Sequence, residues 1–311
     1  MIDVFITIRT IVPILLIMGL GFLSRKTKVL RPGDERVLSA YVYFFALPAL
    51  FIVNLAETRF TEEILRFMLV GIIPPLLVLA IFTLLHILFR FSRDAFYLLI
   101  VSTIFGSLSF FGIPFVMFAF PMEGERLATL ASASISPVSV TISIAVLELY
   151  KLEKSTVWKG LTDVVKSFSK NPLIISILLG IALSLIGIEI PSPISTSLHM
   201  LGGTTSAVAI FMLGAFLYGR KYKNKATAFK LSLLRIVFLP LVALLTTRLF
   251  PLLDVERSIL VLMHGMPVAI SMIVLSERYD FHKETVASLI LISSLGAGIY
   301  LNLWFLFLTV G

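Results

Sequence analysis

Cysteine is absent from the 311 residues, so disulfides and thiolate metal sites are excluded. Charge is scarce: Asp, Glu, Lys and Arg make up 14% of the chain, where a water-soluble globular protein carries about 25%. No Gly-rich loop ending in Gly-Lys-Ser/Thr is present to cradle a phosphate, and no catalytic or metal-ligating constellation occurs. ATP-driven pumping by this chain is therefore not expected. An enzyme is not expected either, and no cofactor or metal is implied. The third, fourth, ninth and tenth expected helices also lack a central Asp or Glu, so a carboxylate pair for sodium/proton exchange is missing.

What the chain has is apolar length. It is 58% hydrophobic with a mean hydropathy of +1.03. Ten apolar segments recur, at roughly 4–23, 36–55, 65–89, 95–120, 127–149, 171–190, 194–219, 228–250, 257–276 and 284–309, each long enough for a core of about 30 Å. The expectation is an all-α polytopic membrane protein. "MIDVFITIRT" lacks the basic start of a signal peptide and reads as the first span.

The net charge of +8 does not point to nucleic acid, because its distribution follows the spans. Odd-numbered connections hold 19 Lys and Arg residues; even-numbered ones hold only Arg59, Arg66, Arg126, Arg248 and Arg257. The positive-inside rule then makes the odd connections cytoplasmic and both termini extracytoplasmic. In the long fifth connection, Trp158, Leu161, Val165 and Phe168 share one helical face, as in a helix lying on the inner leaflet. A solvated loop is the plainer alternative.

Features recur in order between the halves. Pro48 in "FFALPALF" matches Gly214 in "IFMLGAFL", and Pro75 matches Pro240, at offsets of 166 and 165. "FGIPFV" matches "HGMPVA" at an offset of 153, so the first half carries about a dozen extra residues before its Gly-x-Pro. Two five-helix repeats follow, 1–149 and 171–311, joined by an amphipathic cytoplasmic linker at 150–170. An odd number of spans inverts one repeat relative to the other, a secondary-transporter architecture.

The two Gly-x-Pro motifs raise a chemical question. Proline lacks an N–H and breaks a helix, and it suits the first position of a new one. Pro114 and Pro267 are thus expected to start half-helices, with Gly112 and Gly265 in the broken backbone. Irregular backbone at membrane depth belongs where protein buries it or water reaches it. Two half-helix N-termini would favour an anion there. Ordinary proline kinks are the alternative.

Several polar residues carry two readings. His264 precedes Gly265 and either titrates at the break or is a satisfied structural histidine. Arg235 either snorkels to the inner surface, the favoured reading, or neutralises an anion. Ser132, Ser134, Ser136 and Ser139, with Ser293, Ser294, Gly296 and Gly298, either allow close helix packing or face a substrate. Glu148, His86 and His199 lie near span ends, and Asn54 near the outer end of its own.

"YVYFFALPALF", "NPLIISILLGIAL", "AIFMLGAFL", "GSLSFFGIPF" and "MPVAISMIVLSERYDF" together resemble the auxin efflux carrier family, which includes PIN-type exporters and bacterial malate/malonate permeases, over nearly the whole chain. The resemblance implies ten helices in two inverted repeats, with a scaffold of helices 1, 2, 6 and 7 and a mobile, elevator-type transport domain of helices 3–5 and 8–10. Broken helices 4 and 9 would cross inside that domain. The likeness to sodium/proton antiporters and bile-acid symporters is at fold level. The resemblance to the auxin efflux carrier family also implies a homodimer through the scaffold. Two positions depart from the family pattern, where asparagine is usual: Ser107 in the fourth helix and Ser271 in the ninth. Serine keeps the hydrogen-bonding capacity but reaches less far.

The expectation is a cell-membrane secondary transporter that moves a small mono- or dicarboxylate by alternating access. Its expected substrate-binding residues are Ser107, Ser109, Gly112, Pro114, Ser136, His264, Gly265, Pro267 and Ser271. A channel or passive facilitator, or a non-transporting membrane sensor, would be the alternatives on the same scaffold.

Overall fold

The computed structural model describes residues 4–151, 171–219 and 222–310. The expected surface helix of the 150–170 linker lies outside them. Among the described residues the protein is helical throughout, with a lone β-bridge and no strand. The helices are α1 (Val4–Lys26), α2 (Asp34–Ala56), α3 (Glu62–Phe89), α4 (Arg93–Ile104), α5 (Leu108–Ala119), α6 (Gly124–Lys151), α7 (Pro172–Ile186), α8 (Ser192–Leu217), α9 (Lys225–Thr247), α10 (Asp254–His264), α11 (Met272–Arg278) and α12 (Lys283–Val310). Six of these, α2, α3, α6, α8, α9 and α12, are long and apolar enough to cross a membrane. Two of the expected segments, 95–120 and 257–276, are each split in two, into α4/α5 and α10/α11.

Large apolar side chains stay on the outside. Leu16, Leu20, Phe45, Leu69, Leu84, Leu245, Ile299 and Leu303 are all more than half exposed. A chain that folded in water would bury such surface. A bilayer solvates it.

The contacts divide the chain into two compact units. The first comprises Met1–Arg66, Ser109–Ala133 and Ser169–Arg220. In it α8 packs along both α1 and α2, and α2 also packs on α7. The α1–α8 approach is close because a Cβ on Gly21 would overlap the Phe211 carbonyl and a Cβ on Gly214 that of Met18. Small residues at a helix contact let backbones meet in this way.

The second unit comprises Phe67–Leu108, Ser134–Phe168 and Lys221–Gly311. Here α9 packs on α4, α10 and α12. Phe82 of α3 stacks on Phe238 of α9 with ring centroids 5.7 Å apart. Ala243, Leu244 and Val261 form a buried cluster covered by Trp304 and Leu308 of α12.

Proline in these helices is accommodated by two devices. A wide helical turn at Leu234–Phe238, where the Leu239 N–H reaches back five residues to the Leu234 carbonyl, precedes Pro240. The same arrangement at Val42–Ala46 precedes Pro48. The second device is a side-chain donor. Pro240 offers no N–H to the Ile236 carbonyl four residues back, and Trp304 Nε1 donates to it instead at 2.8 Å.

Candidate functional site at a helix crossing

The second unit contains a place where two helices stop and their backbones meet. α4 is started by Ser92, whose hydroxyl accepts the Ala95 N–H, and it ends at Ile104. Phe105 leaves the helix and Gly106, a poor helix former, follows. α10 is started by Glu256, whose carboxylate accepts the Leu253 N–H, and it ends at His264. Pro267 stops it, because the residue before proline is driven out of helical geometry and proline has no N–H.

The two released segments run antiparallel. Gly106 and Val268 form a β-bridge. Ser107 N–H donates to the Pro267 carbonyl at 2.8 Å, and Ala269 N–H donates to the Phe105 carbonyl at 3.0 Å. Val268 N–H is taken by Ser293 Oγ of α12 at 3.2 Å, and that hydroxyl donates back to Leu289 O at 2.8 Å. Backbone groups that would be stranded in an apolar interior are thus paired.

Arg235 of α9 holds the crossing from the side. It is 1% exposed. Its Nε donates to the Met266 carbonyl at 2.7 Å, and its Nη1 donates to the carbonyls of Thr103 at 2.7 Å and Ile104 at 3.1 Å. The Thr103 and Ile104 carbonyls belong to the C-terminal end of α4, where the helix dipole leaves partial negative charge, and the Met266 carbonyl lies just beyond the end of α10. Gly106 is required beside it, since a Cβ there would overlap the guanidinium Nη2. Among the described residues no carboxylate pairs with Arg235. The expected snorkelling is corrected: a lipid-facing arginine would reach outward, and this one is turned into the protein.

The expected site residues are placed differently from one another. Ser107 is buried and its backbone N–H ties the crossing. Gly265 and Pro267 are buried at the α10 break. His264 is buried, and its Nε2 lies 3.0 Å from the Gly71 carbonyl of α3. A carbonyl only accepts, so that nitrogen carries the hydrogen.

Gly112 and Pro114 require a correction. The backbone breaks at Phe105–Ser107, and helix resumes at Leu108 through a wide turn to Gly112. Gly112 is therefore helical, with φ −66 and ψ −51, and Pro114 lies inside a running helix instead of starting one. The wide turn ahead of Pro114 repeats the pattern seen before Pro48 and Pro240. Pro267 is also not the first residue of a half-helix: it lies in the extended segment, and α11 starts at Met272. Ser109, in the first unit, shares a hydrogen bond with Ser132 Oγ at 2.8 Å. Ser136 is half-buried and Ser271 is exposed at the start of α11.

Sequence reasoning missed Gly106 and undervalued Arg235. Its signal for Arg235 was available: an arginine this deep in an apolar stretch is a functional candidate by default.

The family described as "Membrane transport protein" matches residues 6–157 and 152–305. The chain belongs to this family, the auxin efflux carrier family that its motifs resemble. It is also similar to "Uncharacterized transporter YfdV" of Escherichia coli K12, at 26% identity over 310 residues and 96% of each chain. "Uncharacterized transporter MJ1031" of Methanocaldococcus jannaschii is 23% identical over 299 residues, 94% of this chain and 95% of that one. The protein is a multi-pass integral membrane protein of a transport family.

Proposed function

We propose that the protein is a secondary transporter that moves a small organic anion, a mono- or dicarboxylate, across the cell membrane by alternating access. The observation that carries this reading is the crossing itself: Phe105–Ser107 paired with Pro267–Ala269 inside an apolar helical unit. Broken helices at such a place are a transporter device for presenting backbone groups to a solute. The buried positive charge of Arg235, with no carboxylate paired to it among the described residues, supports an anion over a cation as solute. Membership of a transport family supports movement of a solute over sensing.

In this reading the ten apolar segments form two inverted repeats of five, and α4/α5 and α10/α11 are the broken fourth and ninth helices. The part that moves comprises helices 3–5 and 8–10, carried on a scaffold of helices 1, 2, 6 and 7 that also joins two copies. Ser107 and the backbone around Gly106 and Val268 face the substrate. Ser136 and Ser271 line its path.

The test is counterflow. Purified protein in liposomes preloaded with unlabelled malonate, succinate, malate or acetate is given the same compound labelled outside. Transient accumulation that saturates with concentration is expected for at least one of them. Linear, non-saturating flux would indicate a channel. No flux with any organic anion tested would remove the transport reading.

A further inference from the structure

We propose that the carbonyl cradle at the crossing is a cation site filled permanently by the protein's own guanidinium, so that Arg235 stands where a coupling ion would otherwise bind. The consequence for transport rests on the reading above. The site itself does not.

Three backbone oxygens converge on one cationic side chain. Thr103 O and Ile104 O come from the last turn of α4, and Met266 O from just beyond α10. Helix C-termini leave carbonyls without donors and carry roughly half a negative charge each. The end of α4 and the carbonyl released just past α10, meeting in an apolar interior, create a strong attraction for a cation. Main-chain carbonyl oxygens are also the ligand type that hard monovalent and divalent ions accept. Thr103 adds a buried hydroxyl that has no partner among the described residues.

A guanidinium suits this position for geometric reasons. Its fork of planar donors satisfies several carbonyls at once, and it stays charged in nearly any surroundings. It is also tethered: Arg235 lies in α9, in the wide turn Leu234–Phe238, within the same compact unit as the cradle. Gly106 leaves the room for it, since any larger residue there would overlap Nη2. The charge that a mobile ion would carry into the site is built in. The carrier then needs no sodium or potassium at the crossing to hold an anion there.

The experiment reads cation binding and not flux. Purified full-length protein in lipid nanodiscs is melted in choline, sodium, potassium or methylguanidinium chloride at equal ionic strength. The wild-type midpoint is expected to be the same in all four salts, within about 1 °C. Arg235→Ala is expected to melt lower in choline and to recover by roughly 2–4 °C in methylguanidinium or in one of the alkali ions, because a ligand of the folded state raises the midpoint by mass action. An Arg235→Ala midpoint that is the same in all four salts would overturn the proposal. So would sodium- or potassium-selective stabilisation of the wild type, which would mean that the cradle still takes an ion. Should Arg235→Ala not yield folded protein, Arg235→Lys carries the test. Its tethered ammonium should leave the midpoint indifferent to sodium, and a sodium-selective rise would overturn the proposal. Counterflow on the same preparation is scored separately: its absence, alongside cation-selective recovery, would sink the transport reading and leave the filled site standing.

Discussion

His264 Nε2 donates to the carbonyl of Gly71, and that carbonyl is the one that Pro75 leaves without a donor. In an uninterrupted helix the N–H four residues on would occupy it, and proline has none. The histidine of α10 supplies the missing hydrogen to α3, much as Trp304 supplies one to Ile236 behind Pro240. Two prolines in two helices are thus repaired by two ring N–H groups from elsewhere in the fold.

His264→Leu should therefore destabilise the protein by about 1–3 kcal/mol, the cost of an unsatisfied buried acceptor. His264→Gln retains an N–H donor and should recover part of that loss. Thermal melts of the three proteins decide it. If flux is measurable, His264→Gln should also keep the wild-type pH profile, because the ring serves as a structural donor. A profile flattened by that substitution would return the histidine to the mechanism.

Trp304→Phe keeps most of the aromatic area against Ala243 and Leu244 but removes the donor to Ile236. A loss of about 1–2 kcal/mol is expected. A melt indistinguishable from wild type would show that Pro240 needs no such repair.

At the crossing, Gly106→Ala should be far more damaging than its one added methyl suggests. The Cβ and the guanidinium cannot share the position, so Arg235 must leave its carbonyls. Overpacking of this kind costs about 1–3 kcal/mol before the displaced charge is counted. The double variant Gly106→Ala/Arg235→Ala should be less than additive. Independent, additive losses would argue against the contact.

The two motif prolines should behave differently. Pro114→Ala restores an N–H inside a running helix and is expected to leave binding and flux near wild type. Pro267→Ala frees the chain at the α10 break and should lower stability by about 0.4–1 kcal/mol through the unfolded state alone. It should also reduce carboxylate affinity as the break loses definition. Equal effects of both substitutions on binding by isothermal titration would place the site elsewhere.

The orientation rests on loop charge. A cysteine at Ser155, clean to label because the chain has none, should react with an impermeant maleimide in inside-out vesicles and not in intact cells. Labelling from outside intact cells would reverse the topology.

Much of this protein is legible in its sequence. Apolar runs of spanning length are a local property, and so are the turn-breaking chemistries of glycine and proline. The helical membrane class and the presence of two breaks follow from them, and the family follows from the resemblance of its motifs and the family-model match. The position of the first break does not. "FGIPFV" carries the conspicuous Gly-x-Pro, yet its helix runs through Pro114 on a wide turn, and the backbone opens at Gly106 instead. The half-helix ends Ile104 and His264 are 160 positions apart and the restarts Leu108 and Met272 are 164 apart, close to the 165 and 166 of the other matched features. In the proposed repeat the two Gly-x-Pro motifs, 153 positions apart, are then not counterparts, although the sequence pairs them. Only tertiary structure decided the roles of Arg235 and His264. Their partners lie 132 and 193 residues away in sequence, and whether a buried cation or a ring N–H is satisfied depends on which carbonyls the fold brings within 3 Å.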